Sequence, residues 1–257
     1  MSAAQAQHWV MLHGWGTHGA VWDRLIHASA EQRMATGRAA FHCIAPDWVQ
    51  ALDPLSDPQT MLSQLADQIA AQAPAHCAVI GWSLGGQLAL RWAARHPQQV
   101  QRLILVATTP CFAHGQGWIY GLPCDWVDQF IADFQADPLA TLRRFYVLQT
   151  RGEAQARQAL RQLLAALATR KLATEAQSLA LLHCLATSDL RADLPSITQP
   201  TMIVQGLEDV LTMPAAADYL ASHIPTAQLQ AWPSVGHLPL FSQVHSLAQL
   251  MSDFCDV

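Results

Sequence analysis

Short, almost wholly apolar runs alternate along this chain with longer stretches whose apolar positions recur at helical spacing. Runs of the first kind fall at 9–12, 41–45, 77–80, 103–107, 202–205 and 228–232. Near-continuous apolar runs of this length predict strands covered on both faces. Helices are predicted at 60–73, 86–96, 214–222 and 244–254, the first opening after Pro58 and the second closing before Pro97. Strand and helix in regular alternation is the pattern of an α/β fold, with a mostly parallel central sheet flanked by helices.

The rhythm breaks once. From 108 to 200 the pattern is helical throughout. Val127, Phe130, Ile131 and Phe134 share one helical face. Pro138 can open a second helix carrying Leu142, Phe145 and Tyr146, and 153–168 and 174–187 read as two more. The organisation expected is a core of 1–107 with 201–257, and a helical lid of 108–200 inserted between two strands. Ligands of open α/β sheets bind beyond the carboxyl ends of the strands, so a lid there would shape a pocket.

Composition narrows the classes of function. The chain has 257 residues, 51% hydrophobic and 13% charged, which excludes a disordered chain. A net charge of −5 leaves no basic excess for binding nucleic acid. No apolar stretch approaches the ~20 residues of a membrane span. Met1-Ser2-Ala3-Ala4-Gln5 lacks the basic start and apolar run of a signal peptide, so a cytoplasmic protein is expected. The cysteines (Cys43, Cys77, Cys111, Cys124, Cys184, Cys255) have neither paired nor metal-type spacing. They are expected to be reduced, and no metal site is expected among them or the twelve histidines.

Four separated segments carry chemistry. Gly81-Trp82-Ser83-Leu84-Gly85-Gly86 lies between a predicted strand and a predicted helix, the context of a G-x-S-x-G turn that exposes a nucleophilic serine. Ser83 is the candidate nucleophile. A hydroxyl needs a base and an orienting acid. Gly206-Leu207-Glu208-Asp209 follows the strand at 202–205; Asp209 is the candidate acid and Glu208 the weaker alternative. Gly236-His237 follows the strand at 228–232, which makes His237 the candidate base. His8, His18, His27 and His223 read as surface positions, and His96 as a helix end. Finally, His13-Gly14-Trp15-Gly16 follows the first strand. The backbone N–H groups of Trp15 and Leu84 are candidates to stabilise an oxyanion, with His13 hydrogen-bonding the loop.

These segments, in this order, resemble the α/β-hydrolase family over essentially the whole chain. Within it the chain is similar to the methyl ester esterases of biotin synthesis that act on a pimeloyl group held by a carrier protein. That closer likeness rests on Leu12-His13-Gly14-Trp15-Gly16, the Ser83 turn, Ala107-Thr108-Thr109-Pro110-Cys111-Phe112 and Arg144-Phe145-Tyr146-Val147-Leu148-Gln149-Thr150. The resemblance implies a Ser83–Asp209–His237 triad working through an acyl-enzyme without a cofactor. It implies substrate contacts at Trp15, Ser83, Leu84, Phe145, Tyr146, Val147, Leu148, Gln149 and His237. One departure stands out: where many relatives carry D-x-P-G-x-G-x-S, this chain reads Pro46-Asp47-Trp48-Val49-Gln50-Ala51-Leu52-Asp53. A generalist carboxylesterase or thioesterase, or a carbon–carbon bond hydrolase, would keep the same triad; a non-catalytic ligand-binding homologue is the remote alternative, against which the intact Ser83, Asp209 and His237 set weighs.

Charge adds a partner. Arg143, Arg144, Arg151, Arg157, Arg161, Arg170 and Lys171 face the single acid Glu153 between 143 and 171, a local +6 on an acidic protein. Arg157 and Arg161 are spaced i, i+4, on one side of a helix. Such a lid attracts an acidic, phosphate-bearing partner. An acyl carrier protein, contacted by Arg144, Arg157 and Arg161, fits that chemistry. The chain is expected to be a monomer.

Overall fold

The computed structural model describes residues 7–255; the N-terminal segment read above for a signal peptide lies outside them. Six strands form the sheet: β1 (His8–Leu12), β2 (His42–Ile44), β3 (Cys77–Trp82), β4 (Val100–Val106), β5 (Thr201–Gly206) and β6 (Ala227–Trp232). Their spatial order is β2-β1-β3-β4-β5-β6. All five ladders are parallel, so the "mostly parallel" expectation holds in its strict form here.

Parallel neighbours need crossovers, and the helices supply them. α1 (Asp23–Ala35), α2 (Pro58–Gln72), α3 (Leu84–Arg95) and α8 (Pro214–His223) connect successive strands; α9 (Pro239–Ser242) and α10 (Val244–Cys255) end the chain. α1 packs on α10 and α2 packs on α3. Right-handed crossovers put these two pairs on opposite faces, because the strand order reverses direction between β1 and β3. The register aligns Leu12 with Gly81, Trp82 with Val106, and Gly206 with Trp232. The strands therefore end level, and the loops after β1, β3, β5 and β6 emerge along one edge.

The strands covered on both faces are β3, β5 and most of β1 and β4. Edge strands differ from the sequence expectation: β2 and β6 are each partly exposed, since a sheet edge is not fully covered. α1 has no counterpart among the predicted helices. It buries only Leu25, Ala28 and Ser29, too few positions to show a period.

Between β4 and β5 run α4 (Cys124–Ala136), α5 (Pro138–Gln149), α6 (Ala156–Leu167) and α7 (Glu175–Thr187). Asp137 caps α5 with Pro138 at its start. Thr174 caps α7 through a reciprocal pair with Gln177, satisfying two helix-end donors at once. Trp15 ties this insertion to the sheet. Its ring meets Phe130, Phe134 and Phe145 edge-on at centroid distances of 5.6, 5.4 and 5.0 Å, and its Nε1 donates to the Ser178 carbonyl at 2.8 Å. Each aromatic pair adds ~0.5–1.5 kcal/mol beyond its buried area.

Candidate active site

The turn after β3 is built on close approach. A Cβ on Gly81 would lie 2.3 Å from the Gly85 carbonyl oxygen, and one on Gly85 would lie 2.1 Å from that of Leu12. Only hydrogen fits at either position. Between them Ser83 adopts φ 56°, ψ −122°, a left-handed conformation that costs an ordinary residue ~1–3 kcal/mol. Hydrogen bonds hold it there: Ser83 N–H donates to Val106 at 3.0 Å, and Thr108 Oγ1 donates to the Ser83 carbonyl at 2.6 Å.

On the next loops, His237 Nδ1 lies 2.8 Å from Asp209 Oδ2, and both residues are buried. The second oxygen, Oδ1, accepts the Leu211 and Thr212 N–H groups at 2.8 and 3.0 Å. Oδ2 also accepts from Thr212 Oγ1 at 2.7 Å and Gln205 Nε2 at 3.3 Å. Burial pushes the Asp209 carboxyl up; the charge and hydrogen bond of His237, with Thr212 and Leu211, outweigh it and hold the group below the usual carboxylate range. An ionised carboxylate can only accept, so Nδ1 is the donor to Asp209, and in a neutral imidazole the lone pair is left on Nε2. Glu208 is exposed and bonded through its backbone to Val235. The geometry therefore brings Asp209, rather than its neighbour, to His237.

Ser83 Oγ makes no hydrogen bond among the described residues. Its link to His237 runs through the adjacent Trp82, whose Nε1 donates to the His237 carbonyl at 2.9 Å. The loop after β1 lies against the same serine: a Cβ on Gly14 would sit 3.2 Å from Ser83 Cβ. Neither the Trp15 nor the Leu84 N–H is taken up by a hydrogen bond among the described residues. The loop after β1 thus reaches the candidate nucleophile at Gly14, and Leu84 follows it directly in the chain.

His13 shapes that loop. Its Nδ1 lies 3.0 Å from the Gly14 carbonyl and 3.3 Å from Thr17 Oγ1, and its ring stacks on Trp48. Trp48 belongs to the departing segment; beside it, Asp47 accepts the Gly19 N–H at 2.7 Å and pairs with Arg170 of the insertion. His18, read above as a surface residue, is buried: it caps the short helix at Gly19–Trp22 and lies 3.2 Å from the Leu167 carbonyl. His8 is half-buried, His27 and His223 are exposed, and His96 caps α3.

Five successive residues of a helix cannot all face one cavity. Phe145 and Gln149, four apart on α5, point inward with Tyr146, whose hydroxyl donates to Gly16 at 2.7 Å. Phe145 lines a small apolar cavity with Trp15, Phe130 and Leu182. The buried Gln149 amide has neither of its polar atoms partnered among the described residues. Val147 turns outward, 57% exposed. It lines an outer groove with Arg143, Arg144, Leu148 and Arg151, and is no part of the inner wall. Glu153, counted above against the basic charge, is buried instead. Arg144 is paired with Asp133 at 2.9 Å, whereas Arg157 and Arg161 are exposed and carry no ion pair among the described residues.

Sequence reasoning missed Gln205, Thr212 and Glu153. Thr212 had a faint signal, a hydroxyl three residues after a candidate acid; Gln205 and Glu153 had none.

A buried acid–histidine pair on two loops, beside a strained serine turn with free backbone donors, defines a serine hydrolase site on a parallel α/β sheet. The chain belongs to the alpha/beta hydrolase fold family, whose model matches residues 8–243. It is 39% identical over 250 residues to the pimeloyl-[acyl-carrier protein] methyl ester esterase of Aromatoleum aromaticum, spanning 95% of this chain and 96% of that one. To the protein of the same name from Nitrosomonas europaea it is 37% identical over 234 residues, spanning 91% and 89%. An esterase from Exiguobacterium antarcticum superposes with a TM-score of 0.84 over 99% of this chain and 94% of its own. At 22% identity, that likeness concerns the fold.

Burial pushes the His13 imidazole down from 6.5 to about 4. Between those values the unfolded chain holds the extra proton, so stability falls as pH drops through that window. Urea unfolding from pH 7 to pH 4 is expected to show a loss on the order of 3 kcal/mol from this group. His13→Gln should lack that part of the slope; an unchanged slope would contradict the assignment.

Proposed function

We propose that this chain is a serine carboxylesterase that hydrolyses the methyl ester of a pimeloyl group carried by acyl carrier protein, freeing the pimeloyl carboxylate for biotin synthesis. The observation that carries the chemistry is the buried Asp209–His237 pair beside the strained Ser83 turn. Two relatives of that name, matching nearly the whole chain, support the substrate.

In this reading His237 Nε2 takes the Ser83 proton as the hydroxyl attacks the ester carbonyl. The developing oxyanion is met by the N–H groups of Trp15 and Leu84, and a lost donor of this kind costs ~2.7–4 kcal/mol. The tetrahedral adduct collapses, and His237 protonates the departing methanol. A water deprotonated by His237 then releases the acid, while Asp209 holds the imidazolium through both steps. Ser83, His237 and the backbone donors need no metal or organic cofactor for this sequence.

Helices α4–α7, within 108–200, act as the lid over this edge of the sheet. In this reading Phe145 and Trp15 meet the apolar part of the acyl chain as their small cavity opens to admit it, and the buried, unpartnered Gln149 amide supplies a donor and an acceptor. Outside, the exposed Arg157 and Arg161 and the arginine-rimmed groove at Val147 suit an acidic carrier and its phosphopantetheine phosphate. Arg144 can join them by exchanging Asp133 for the carrier. The same reading takes the chain to act in the cytoplasm as a monomer; no helix among the described residues is long and apolar enough to cross a membrane.

Asp209→Asn is expected to lower hydrolysis of the carrier-linked ester by about 10⁴, through the wrong imidazole tautomer, while Glu208→Gln changes it little. Reversed losses would make Glu208 the orienting acid.

Arg157→Glu with Arg161→Glu should cut kcat/KM for the carrier-linked ester by about tenfold or more. A small neutral aryl ester, assayed in parallel, should be hydrolysed at the parental rate. Equal losses on both substrates would mean that these arginines support the fold rather than the carrier.

A further inference from the structure

The turn at 150–155, between α5 and α6, touches both loops that carry the acid–histidine pair. Gly152, at φ 83°, lies against the Asp209 loop: a Cβ there would stand 2.5 Å from the Glu208 carbonyl oxygen. Gly236 lies as close to this turn, since its Cβ would stand 2.4 Å from the Arg151 carbonyl oxygen. Ala154 N–H donates to Ser234 at 3.2 Å, and Glu153 Oε1 accepts the Leu238 N–H at 2.9 Å.

That last bond acts on the histidine. The carbonyl of His237 and the N–H of Leu238 belong to one peptide plane. Trp82 holds the carbonyl from the nucleophile side at 2.9 Å, and Glu153 holds the N–H from the insertion side. Pinned at both ends, the plane cannot rotate, so the backbone torsion that aims the His237 ring is set. A buried carboxyl is costly unless hydrogen bonds compensate it. Burial pushes the Glu153 carboxyl up, Ser242, Leu238 and Gly236 draw it down, and the Asp209 charge pushes it up again. Its Oε2 has no partner among the described residues, so packing alone would favour an apolar side chain.

We propose that Glu153 is a positioning residue for His237: from the helical insertion it clamps the 237–238 peptide against Trp82 and so keeps the imidazole aligned between Asp209 and Ser83. The proposal rests on the reading of His237 as the general base. It also gives the insertion a part in the chemistry besides shaping the pocket.

The test is steady-state hydrolysis of a small neutral aryl ester, which needs no carrier, with thermal unfolding followed on the same samples. Glu153→Ala is expected to lower kcat about tenfold or more at temperatures where the variant is fully folded, given the cost of misplacing a catalytic group. KM should stay within about twofold, because no substrate contact is removed. Glu153→Gln, whose amide oxygen still accepts from Leu238, should restore kcat to within about threefold of the parent. Glu153→Met keeps the length and removes the acceptor. It should behave as Glu153→Ala does, and gives the reading if the alanine variant fails to fold. A parental kcat in Glu153→Ala or Glu153→Met, with only a lowered melting temperature, overturns the proposal; so does a glutamine variant as impaired as methionine. Ser83→Ala and His237→Ala run beside them. If those two are inactive while the Glu153 variants are normal, only the positioning role falls; if they stay active, the triad reading falls and this proposal with it.

Discussion

Where β3 turns into α3, the backbone at residue 85 passes so close to the end of β1, and residue 81 so close to residue 85, that neither can carry a side-chain atom. The rest of the site follows from that contact. The tight passage forces Ser83 into a left-handed conformation and projects its hydroxyl from the turn. It also seats the Gly14 backbone against the serine. Ridding the turn of strain would mean moving α3 away from the sheet, and α3 is buried along most of its length. A well-packed helix thus sustains a locally unfavourable backbone, as strained functional turns require.

A second constraint is electrical. Asp209 is an ionised group removed from water, which a fold tolerates only with a partner charge and saturated hydrogen bonding. Leu211, Thr212 and Gln205 satisfy its lone pairs, and His237 completes the set. The arrangement fixes which nitrogen of a neutral imidazole carries the proton. The helical insertion is coupled to both constraints. Trp15 carries the loop after β1 into the aromatic cluster of α4 and α5, and Asp47 joins the loop after β2 to Arg170. A change in the insertion would therefore be felt on the loop whose Gly14 lies against Ser83.

Much of this was legible in the residues. The apolar runs marked the interior strands because buried parallel strands need near-continuous hydrophobic sequence; the edge strands β2 and β6 were found as runs too, but their partial exposure was not legible. The glycines around Ser83 announced the turn because no other residue fits. The order Ser83, Asp209, His237 could be read from position after strands without any distance. What escaped the sequence shares one cause: it depends on which way a side chain faces. α1 carries too few buried positions to show a period. His18 and Glu153 looked like solvated residues yet turn inward, where each bonds a backbone group from a distant segment. Val147 follows the inward-facing Phe145 and Tyr146 but emerges on the outer surface, as helical geometry dictates.

The central claim is that Ser83 is the nucleophile and that its reactivity comes from this turn. Stoichiometric labelling with a phosphonofluoridate, followed by peptide mapping and a parallel esterase assay, tests it most directly. One phosphonyl group per chain should appear on Ser83, with activity lost in proportion to labelling. Modification of a different serine, or esterase activity that survives complete modification of Ser83, would contradict the account.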